Sequence, residues 1–339
     1  MTKEGKLGWG IIGTSTIARE HLIPSIRAQD DSDVVAVMSS SPSRGEEFAA
    51  SEQIPRSHET LDALLADPAV DAVYISTTNE LHKDQTIRAA AAGKHVLCEK
   101  PLALTVADAR AMVDACVEAG VIMATNHHLR EAATLRTVRD AIADGRIGRP
   151  VAAMVFQAIY LRPQLHTWRT NKPSAGGGAV LDVGVHCADT LRFLLDDEPE
   201  EVSAFTQSTG LASQGLEDHG MAVVRFSKGL IASFHMGHNM QFAGTGVEVH
   251  GTEGSIVARG VLTQLPVGEV ILLTEEGEET LDCDHEPAYR RTVRRFNDAV
   301  RNGGRPAASG EDGLRSLAVA LAIREAAATG QRVTIPRDA

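Results

Sequence analysis

The spacing of apolar residues divides the chain into two parts that predict different folds. In the first part, short continuous apolar runs alternate with stretches of helical periodicity, which is typical of buried parallel strands joined by helices. The runs that predict strands are 7–12, 34–38, 72–75, 96–98 and 121–125. Because this alternation favours right-handed crossovers, we predict an α/β domain over residues 1–126 with a doubly wound, mostly parallel sheet.

From residue 151 onward, strands follow one another across short turns. The predicted strands are 151–160, 201–208, 222–226, 231–235, 247–250, 255–258 and 270–274, and the predicted helices are 180–195, 288–301 and 311–328. Consecutive strands with short connections indicate antiparallel pairing. We therefore predict a second domain, over residues 127–339, of the α+β class with a large, mostly antiparallel open sheet. Its C-terminal helices are free to pack back on the first domain.

Charge and cysteine content narrow the classes of partner. The 339 residues carry a formal net charge of −12 and no block of lysine or arginine, which argues against nucleic acid or an anionic membrane as the main partner. No apolar run is long enough to span a bilayer, and the polar N-terminus does not resemble a signal peptide. The four cysteines lack metal-type spacing, so reduced thiols are expected. These features predict a cytoplasmic protein without a bound metal.

The first strand leads into a glycine turn and then a helix, which is the context of a dinucleotide-binding fingerprint. Gly13 would permit the tight turn, the following backbone N–H groups would hold a diphosphate, and the small Ala18 would let the helix approach the sheet. Ser15 replaces the middle glycine of the usual pattern. On its own this fingerprint is therefore weak, and the second strand has to support it.

The end of the second strand indicates which dinucleotide is bound. A site that prefers NAD places an acid there to bind the ribose 2′-hydroxyl, whereas this chain has Ser39, Ser40 and then Arg44. Hydroxyl groups and a guanidinium would bind a 2′-phosphate that an acid would repel. The alternative is an ordinary serine-rich turn before a helix. At this distance from the fingerprint, the pattern favours NADP(H).

A strand over 96–98 ends in Glu99, Lys100 and Pro101. Ligands of α/β proteins bind at the carboxyl ends of the strands. Pro101 restricts Lys100 to an extended backbone and permits a cis bond, so the lysine can be held in one direction. An ordinary strand exit with two solvated charges is the alternative.

A further candidate site lies in the second domain, where Asp182 and His186 are four residues apart on a predicted helix and therefore share one face. The triple glycine 176–178 before it would let the helix N-terminus approach a ligand closely. An acid–base pair, a structural hydrogen bond and a metal site that recruits His127 or His128 remain open, although no third ligand has supporting spacing.

These motifs together resemble the glucose–fructose oxidoreductase/inositol dehydrogenase (Gfo/Idh/MocA) superfamily, across essentially the whole chain. The segments that carry the resemblance are 13–18, 98–102, 168–169, 176–186 and the helix start 310–313. The resemblance implies a Rossmann domain joined to a substrate domain. It also implies cofactor contacts from Gly13, Thr14, Ser15, Thr16, Ile17, Ser39, Ser40, Arg44, Ser76, Thr77, Thr78, Asn79, Glu80, Leu81, Glu99, Lys100, Asn126, Trp168, Arg169 and Tyr289.

Within the superfamily, segments 14–20, 76–82 and 125–130 are similar to the bacterial NADPH-dependent 1,5-anhydro-D-fructose reductases. Ser15, unusual for a general member, fits this group. The implied reaction is the reduction of a keto-sugar, 1,5-anhydro-D-fructose, to 1,5-anhydro-D-mannitol.

The resemblance also implies that Lys100, Asp182 and His186 are catalytic. His186 would donate a proton to the ketone oxygen, Lys100 would polarise that oxygen, and Asp182 would hold a substrate hydroxyl or orient the imidazole. The expected partner is a small sugar, and the C-terminal sheet is a candidate surface for a homo-oligomer, whose existence the sequence leaves open. The alternatives are another sugar or polyol dehydrogenase of the superfamily, a sugar hydrolase that uses tightly bound NAD, and a non-enzymatic NAD(P)-sensing regulator.

Overall fold

A computed structural model describes residues 5–336 of the chain. The chain forms two compact units. The first contains Met1–His128 and Tyr289–Leu314, and the second contains Leu129–Ala288 and Arg315–Ala339. The sequence places one boundary after residue 126, whereas the chain crosses between the units three times because the segment from Tyr289 returns to the first.

Within residues 5–336 the strands form one parallel and one mostly antiparallel sheet. The strands are β1 (Leu7–Ile12), β2 (Ser32–Met38), β3 (Ser57–His58), β4 (Ala72–Ile75), β5 (His95–Cys98), β6 (Met123–Thr125), β7 (Pro150–Ala158), β8 (Pro199–Gln207), β9 (His219–Phe226), β10 (Ile231–Gly237), β11 (Thr245–Gly251), β12 (Gly254–Arg259), β13 (Glu269–Thr274), β14 (Gly277–Leu281) and β15 (Val333–Thr334). The predicted fold class is confirmed.

The α-helices connect and flank these strands. They are α1 (Ile23–Arg27), α2 (Pro42–Ser51), α3 (Leu61–Leu65), α4 (His82–Ala91), α5 (Val106–Glu118), α6 (Ala133–Ala143), α7 (Trp168–Asn171), α8 (Val185–Leu195), α9 (Ala288–Asn302) and α10 (Gly310–Thr329). Two π-helical turns, Ala18–Leu22 and Val180–Gly184, directly precede α1 and α8. The sequence predicts both stretches as regular helices, so the two turns are corrections to that prediction.

The first unit is a Rossmann sheet whose strand order is β3-β2-β1-β4-β5-β6, with parallel pairing throughout the described strands. Its core includes the buried Trp9 of β1, whose ring centroid lies 4.9 Å from that of Phe296. Tyr289, Val293 and Phe296 follow helical spacing along α9 and bury one apolar face in this core. This packing explains why the segment from Tyr289 belongs to the first unit.

The second unit is built on a sheet with the order β14-β13-β12-β11-β7-β10-β9-β8-β15. Among the described strands of this sheet, β7 and β10 are the one parallel pair. Helices α8 and α6 contact one face of it. Burial alternates along the strands, so the other face is exposed and carries large apolar side chains such as Phe205, Met221 and Val223. We call this second face the outer face.

The four cysteines are free thiols, as the sequence predicts, and three of them are buried. Over the range 5–336, no helix is both long enough and apolar enough to cross a membrane.

Candidate functional site

The turn after β1 has the conformation that the fingerprint requires. Gly13 has a φ of +98°, and a Cβ there would lie 3.2 Å from both the Ser76 carbonyl oxygen and Thr77 Cγ2. The hydroxyl of Ser15 donates to Ser76 Oγ over 2.9 Å and accepts the backbone N–H of Ala18 over 3.1 Å. Ser15 therefore ties the turn to the end of β4 and to the following helical turn, which a glycine could not do.

The residues after β2 form a compact polar group. Arg44, in the first turn of α2, donates from Nε to Ser39 Oγ and from Nη2 to Ser40 Oγ, each over 3.3 Å. Ser39 is buried, whereas Ser40 and Arg44 are exposed. The structure thus brings together the three residues that the sequence predicts to bind a 2′-phosphate, and it leaves the guanidinium in contact with solvent.

The segment 76–81 after β4 is held by side-chain hydrogen bonds. Thr77 Oγ1 donates to Gln85 Oε1 over 2.7 Å, and Ser76 and Asn79 are buried. The imidazole of His82 lies 3.1 Å from the Pro101 carbonyl oxygen and 3.3 Å from that of Thr77. His82 therefore connects the segment after β4 with the segment after β5.

At the end of β5, Glu99 is anchored by two side chains. The hydroxyl of Tyr74 and the amide of Asn126 both donate to Glu99 Oε1, over 2.5 and 2.6 Å. Burial, together with the charge of Glu99, raises the pKa of Tyr74 well above its ordinary value. The Lys100–Pro101 bond is cis. Sequence reasoning missed Tyr74 because a tyrosine inside a strand is indistinguishable from an ordinary core residue.

Tyr289 stacks between two imidazoles in the first unit. Its ring centroid lies 4.9 Å from that of His21 and 4.3 Å from that of His128. Burial lowers the pKa of His128 to about 3, with the positive charges of Lys100 and His21 adding to the effect, so its ring is neutral at physiological pH. Burial and the charge of Glu99 raise the pKa of Tyr289.

Asn126 provides a test of whether the first unit fits a dinucleotide. Its side chain is fully buried, and its Oδ1 has no hydrogen-bond partner among residues 5–336, although its Nδ2 is bound to Glu99. A buried amide oxygen of this kind needs a donor. The tight turn, the hydroxyls after two parallel strands and this acceptor together fit a dinucleotide that carries an amide group.

In the second unit, the carboxylate of Asp182 is held by an unexpected partner. Asp182 Oδ2 lies 3.1 Å from His238 Nε2 and 3.7 Å from Arg169 Nε. Asp182, His186 and His238 are all buried. Asp182 lies in a π-helical turn, so the prediction that it shares a helix face with His186, which assumed α-helical spacing, holds only approximately. Such π-helical turns are frequent at functional sites.

The triple glycine packs against other parts of the second unit. A Cβ at Gly178 would collide with the carboxylate of Glu217, and one at Gly177 would lie 2.6 Å from the Trp168 carbonyl oxygen. Glu217 Oε1 accepts the backbone N–H of Val180 over 3.2 Å, so this carboxylate covers the helix start. Gly177 and Gly178 therefore admit Glu217 and the chain at Trp168, and the predicted close approach of a ligand stays a prediction.

Replacing Gly178 by alanine is expected to destabilise the second unit more than the matched change Gly210→Ala. Both glycines have a positive φ, +105° and +109°, but a Cβ at Gly210 would meet nothing within 4 Å in the described part of the chain. The backbone strain is common to both variants and cancels in the comparison. The free energy of unfolding should therefore fall by about 1–3 kcal/mol more in Gly178→Ala, because that variant displaces the Glu217 hydrogen bond. Chemical denaturation measures it. Equal losses in both variants would show that Glu217 does not require a glycine.

Trp168 and Arg169 lie in the second unit, and all the other predicted cofactor residues lie in the first. The guanidinium carbon of Arg169 lies 4.4 Å from the centroid of the Trp168 ring, which fixes both side chains. Their predicted contact with the cofactor stays a prediction. So do the predicted contacts of the partly or fully exposed residues Thr14, Thr16 and Ile17.

The sequence left a metal site open for Asp182, His186 and the neighbouring histidines. In the range that the structure covers, no group of three or more histidine, cysteine, aspartate or glutamate side chains could hold a metal ion. His238, the residue that does approach Asp182, directly follows β10, and no motif that the sequence analysis identified includes it.

Both parts of the chain match known protein domains. Residues 7–127 match the GFO/IDH/MocA oxidoreductase family with an NAD-binding Rossmann fold, and residues 135–257 match the GFO/IDH/MocA C-terminal domain. The chain therefore belongs to the Gfo/Idh/MocA family of oxidoreductases, which confirms the resemblance predicted from the sequence.

Individual relatives cover nearly the whole chain. It is 54% identical over 327 residues to 1,5-anhydro-D-fructose reductase of Ensifer adhaerens, covering 96% of this chain and 98% of that protein. Aldose–aldose oxidoreductase from Caulobacter crescentus, solved with glycerol, superposes with a TM-score of 0.90 at 28% identity over 97% of this chain and 99% of that one. Levoglucosan dehydrogenase, solved with NADH and levoglucosan, superposes with a TM-score of 0.88 at 25% identity over 98% of this chain and 100% of that one.

Proposed function

We propose that the chain uses NADPH to reduce a keto-sugar, and that its substrate is 1,5-anhydro-D-fructose and its product 1,5-anhydro-D-mannitol. The observation that carries this proposal is the 54% identity to the Ensifer adhaerens reductase over almost the full length of both proteins. The other relatives named above act on or bind sugars, by their names, which supports the wider class of sugar oxidoreductase.

NADP(H) would be held mainly by the first unit. The turn from Gly13 to Ile17 would take the diphosphate, and Ser39, Ser40 and Arg44 would take the 2′-phosphate. The segment 76–81, Glu99 and Asn126 would line the nicotinamide half. Bound NADPH supplies the hydride for the reduction.

The protein's own residues would supply the proton and the charge stabilisation. His186 would donate a proton to the ketone oxygen, so that hydride addition at carbon and protonation at oxygen together give the alcohol. The ammonium of Lys100 would stabilise negative charge as it develops on that oxygen. Asp182, held by His238 over 3.1 Å, would accept a hydrogen bond from a substrate hydroxyl or orient the imidazole.

A substrate panel tests this function directly. NADPH oxidation should be fastest with 1,5-anhydro-D-fructose among keto-sugars and aldoses, and NMR of the product should show the manno configuration. A faster reaction with another sugar, or oxidation of a polyol as the preferred direction, would instead identify a different sugar or polyol dehydrogenase. A protein that purifies with bound NAD and consumes no NADPH with any sugar would contradict the reductase function.

Cofactor preference has its own prediction. Arg44→Ala removes a cation that donates to Ser39 and Ser40, so KM for NADPH should rise about tenfold or more, while KM for NADH stays unchanged. Ser39→Asp should act in the same direction through charge repulsion. Steady-state kinetics with both cofactors measures the ratio.

Arg19→Ala is the matched control for the cofactor variants. Arg19 is also an arginine of the first unit, but its Nε lies 2.9 Å from Glu52 Oε1 and it has no role in the proposed site. An NADPH/NADH preference that stays the same in Arg44→Ala and Ser39→Asp, or that changes as much in Arg19→Ala, would refute the proposed 2′-phosphate site.

A further inference from the structure

Two histidines on the outer face of the second sheet lie in direct contact. His219 on β9 and His235 on β10 are partly exposed, and their Nε2 atoms are 2.9 Å apart. The two rings are nearly perpendicular, at 84°. Neither residue takes part in the proposed reaction, and β9 and β10 are antiparallel neighbours that fix the spacing of the two side chains.

The distance between the two nitrogens suits two bonds to one metal ion. With metal–nitrogen bonds of about 2.0–2.1 Å, a separation of 2.9 Å corresponds to a nitrogen–metal–nitrogen angle of about 90°. That is the angle between neighbouring ligands in the tetragonal geometry of Cu²⁺ and Ni²⁺. A tetrahedral Zn²⁺ would need the nitrogens to move apart to about 3.3 Å.

Gln207 contacts one of the two histidines and can orient its ring. Its side-chain amide lies 3.1 Å from His219 Nδ1. The oxygen and nitrogen of such an amide are distinguished only by their hydrogen-bond network. With the amide oxygen turned toward the ring, Nδ1–H donates to it and Nε2 is left as a metal ligand, the arrangement that orients metal-binding histidines generally.

The environment of His235 is compatible with metal binding. Burial, with the charge of His219 adding to it, lowers the pKa of His235. The neutral imidazole is the form that binds a metal.

We propose that His219 and His235 form a two-imidazole site for a tetragonal divalent metal ion, with Cu²⁺ bound most tightly. Exchangeable ligands such as water complete the coordination. Such a site has two protein ligands, fewer than a structural metal site requires. It also contains none of the catalytic residues proposed above.

Electron paramagnetic resonance of the Cu²⁺-loaded full chain, without a polyhistidine tag and after chelator treatment, tests the proposal. We expect one tetragonal Cu²⁺ signal with nitrogen hyperfine structure from two imidazoles. By calorimetry, Cu²⁺ should bind at least about tenfold more tightly than Zn²⁺, and Mg²⁺ should not bind. Gln207→Leu should weaken Cu²⁺ binding by about tenfold.

His219→Ala and His235→Ala should each abolish the two-imidazole signal, with His219→Gln and His235→Gln as alternatives that keep side-chain volume. His250→Ala is the matched control, because His250 on β11 is a partly exposed imidazole of the same face that contacts Ser255 instead. A signal that persists in the His219 and His235 variants, or that is lost in His250→Ala, would overturn the proposal. So would tighter binding of Zn²⁺ than of Cu²⁺.

Discussion

Lys100→Ala is expected to lower kcat for keto-sugar reduction about 10²–10⁴-fold, with a much smaller effect on KM for NADPH. Lys100 directly follows the anchored Glu99 at the end of β5, where its ammonium would stabilise charge that develops only in the transition state. Steady-state and single-turnover kinetics with 1,5-anhydro-D-fructose measure the loss. An added primary amine should restore part of the rate in Lys100→Ala if the missing group is an ammonium.

His186→Ala should cause a loss of similar size, because general acid catalysis contributes about 10²–10⁴-fold. Added imidazole should restore part of the rate of His186→Ala, and the pH dependence of kcat should lose the limb that reports the acid.

Lys83→Ala is the matched control for Lys100→Ala, since Lys83 is an exposed lysine of the first unit that pairs with Asp108 over 2.5 Å. Near-normal turnover in both Lys100→Ala and His186→Ala would refute the catalytic assignment.

The Rossmann sheet was predictable because its signals are local. Each buried strand is a short apolar run, and the turn at Gly13 follows the first of them. The helix α9 was predicted at nearly its observed position, but its place in the first unit was not. The apolar face formed by Tyr289, Val293 and Phe296 indicates in the sequence that the helix packs against a core. Only the structure shows that this core is the one around β1.

In the candidate site, too, residues that belong to a local motif were predictable, and residues that are distant in the sequence were not. The sequence indicated Asp182 and Glu99 because each belongs to a motif, but it missed the residues that hold them. Tyr74 lies 25 positions before Glu99, and His238 lies 56 positions after Asp182. A hydrogen bond across such a separation leaves no periodicity or spacing in a single sequence.

The triple glycine has a structural role that the sequence did not indicate. Glycine permits close approach, and the sequence cannot say of what. The structure shows that the approaching group is the protein's own Glu217, which caps the helical start before Asp182. The glycines therefore shape, through internal packing, the start of the helical segment that carries Asp182.

Asp189→Asn is expected to destabilise the second unit by about 3–5 kcal/mol, because it breaks a buried ion pair and leaves the other charge in the interior. Asp189 is 2% exposed and accepts two hydrogen bonds from Arg130, from Nε over 2.9 Å and from Nη2 over 2.7 Å. Ser316 Oγ donates to the same carboxylate over 3.1 Å, and Arg192 Nη1 lies 3.7 Å from it.

Asp62→Asn is the matched control for this buried pair. Asp62 binds Arg88 at the surface, and its side chain is 82% exposed, so its removal should cost no more than about 1 kcal/mol. Denaturant unfolding should show a shift confined to the transition of the second unit in Asp189→Asn. The double variant Arg130→Met/Asp189→Leu should recover most of the lost stability, since it removes the unpaired charge of Arg130 while Arg192 keeps its ion pair with Glu198.

The Asp189 prediction also bears on catalysis, because Asp189 lies one turn after His186 on α8. If the ion pair fixes this helix, kcat should fall in Asp189→Asn even at temperatures where the protein remains folded, and the double variant should regain it together with stability. A loss of stability below about 1 kcal/mol in Asp189→Asn would mean that packing alone holds α8, and that the pair with Arg130 contributes nothing to the position of His186.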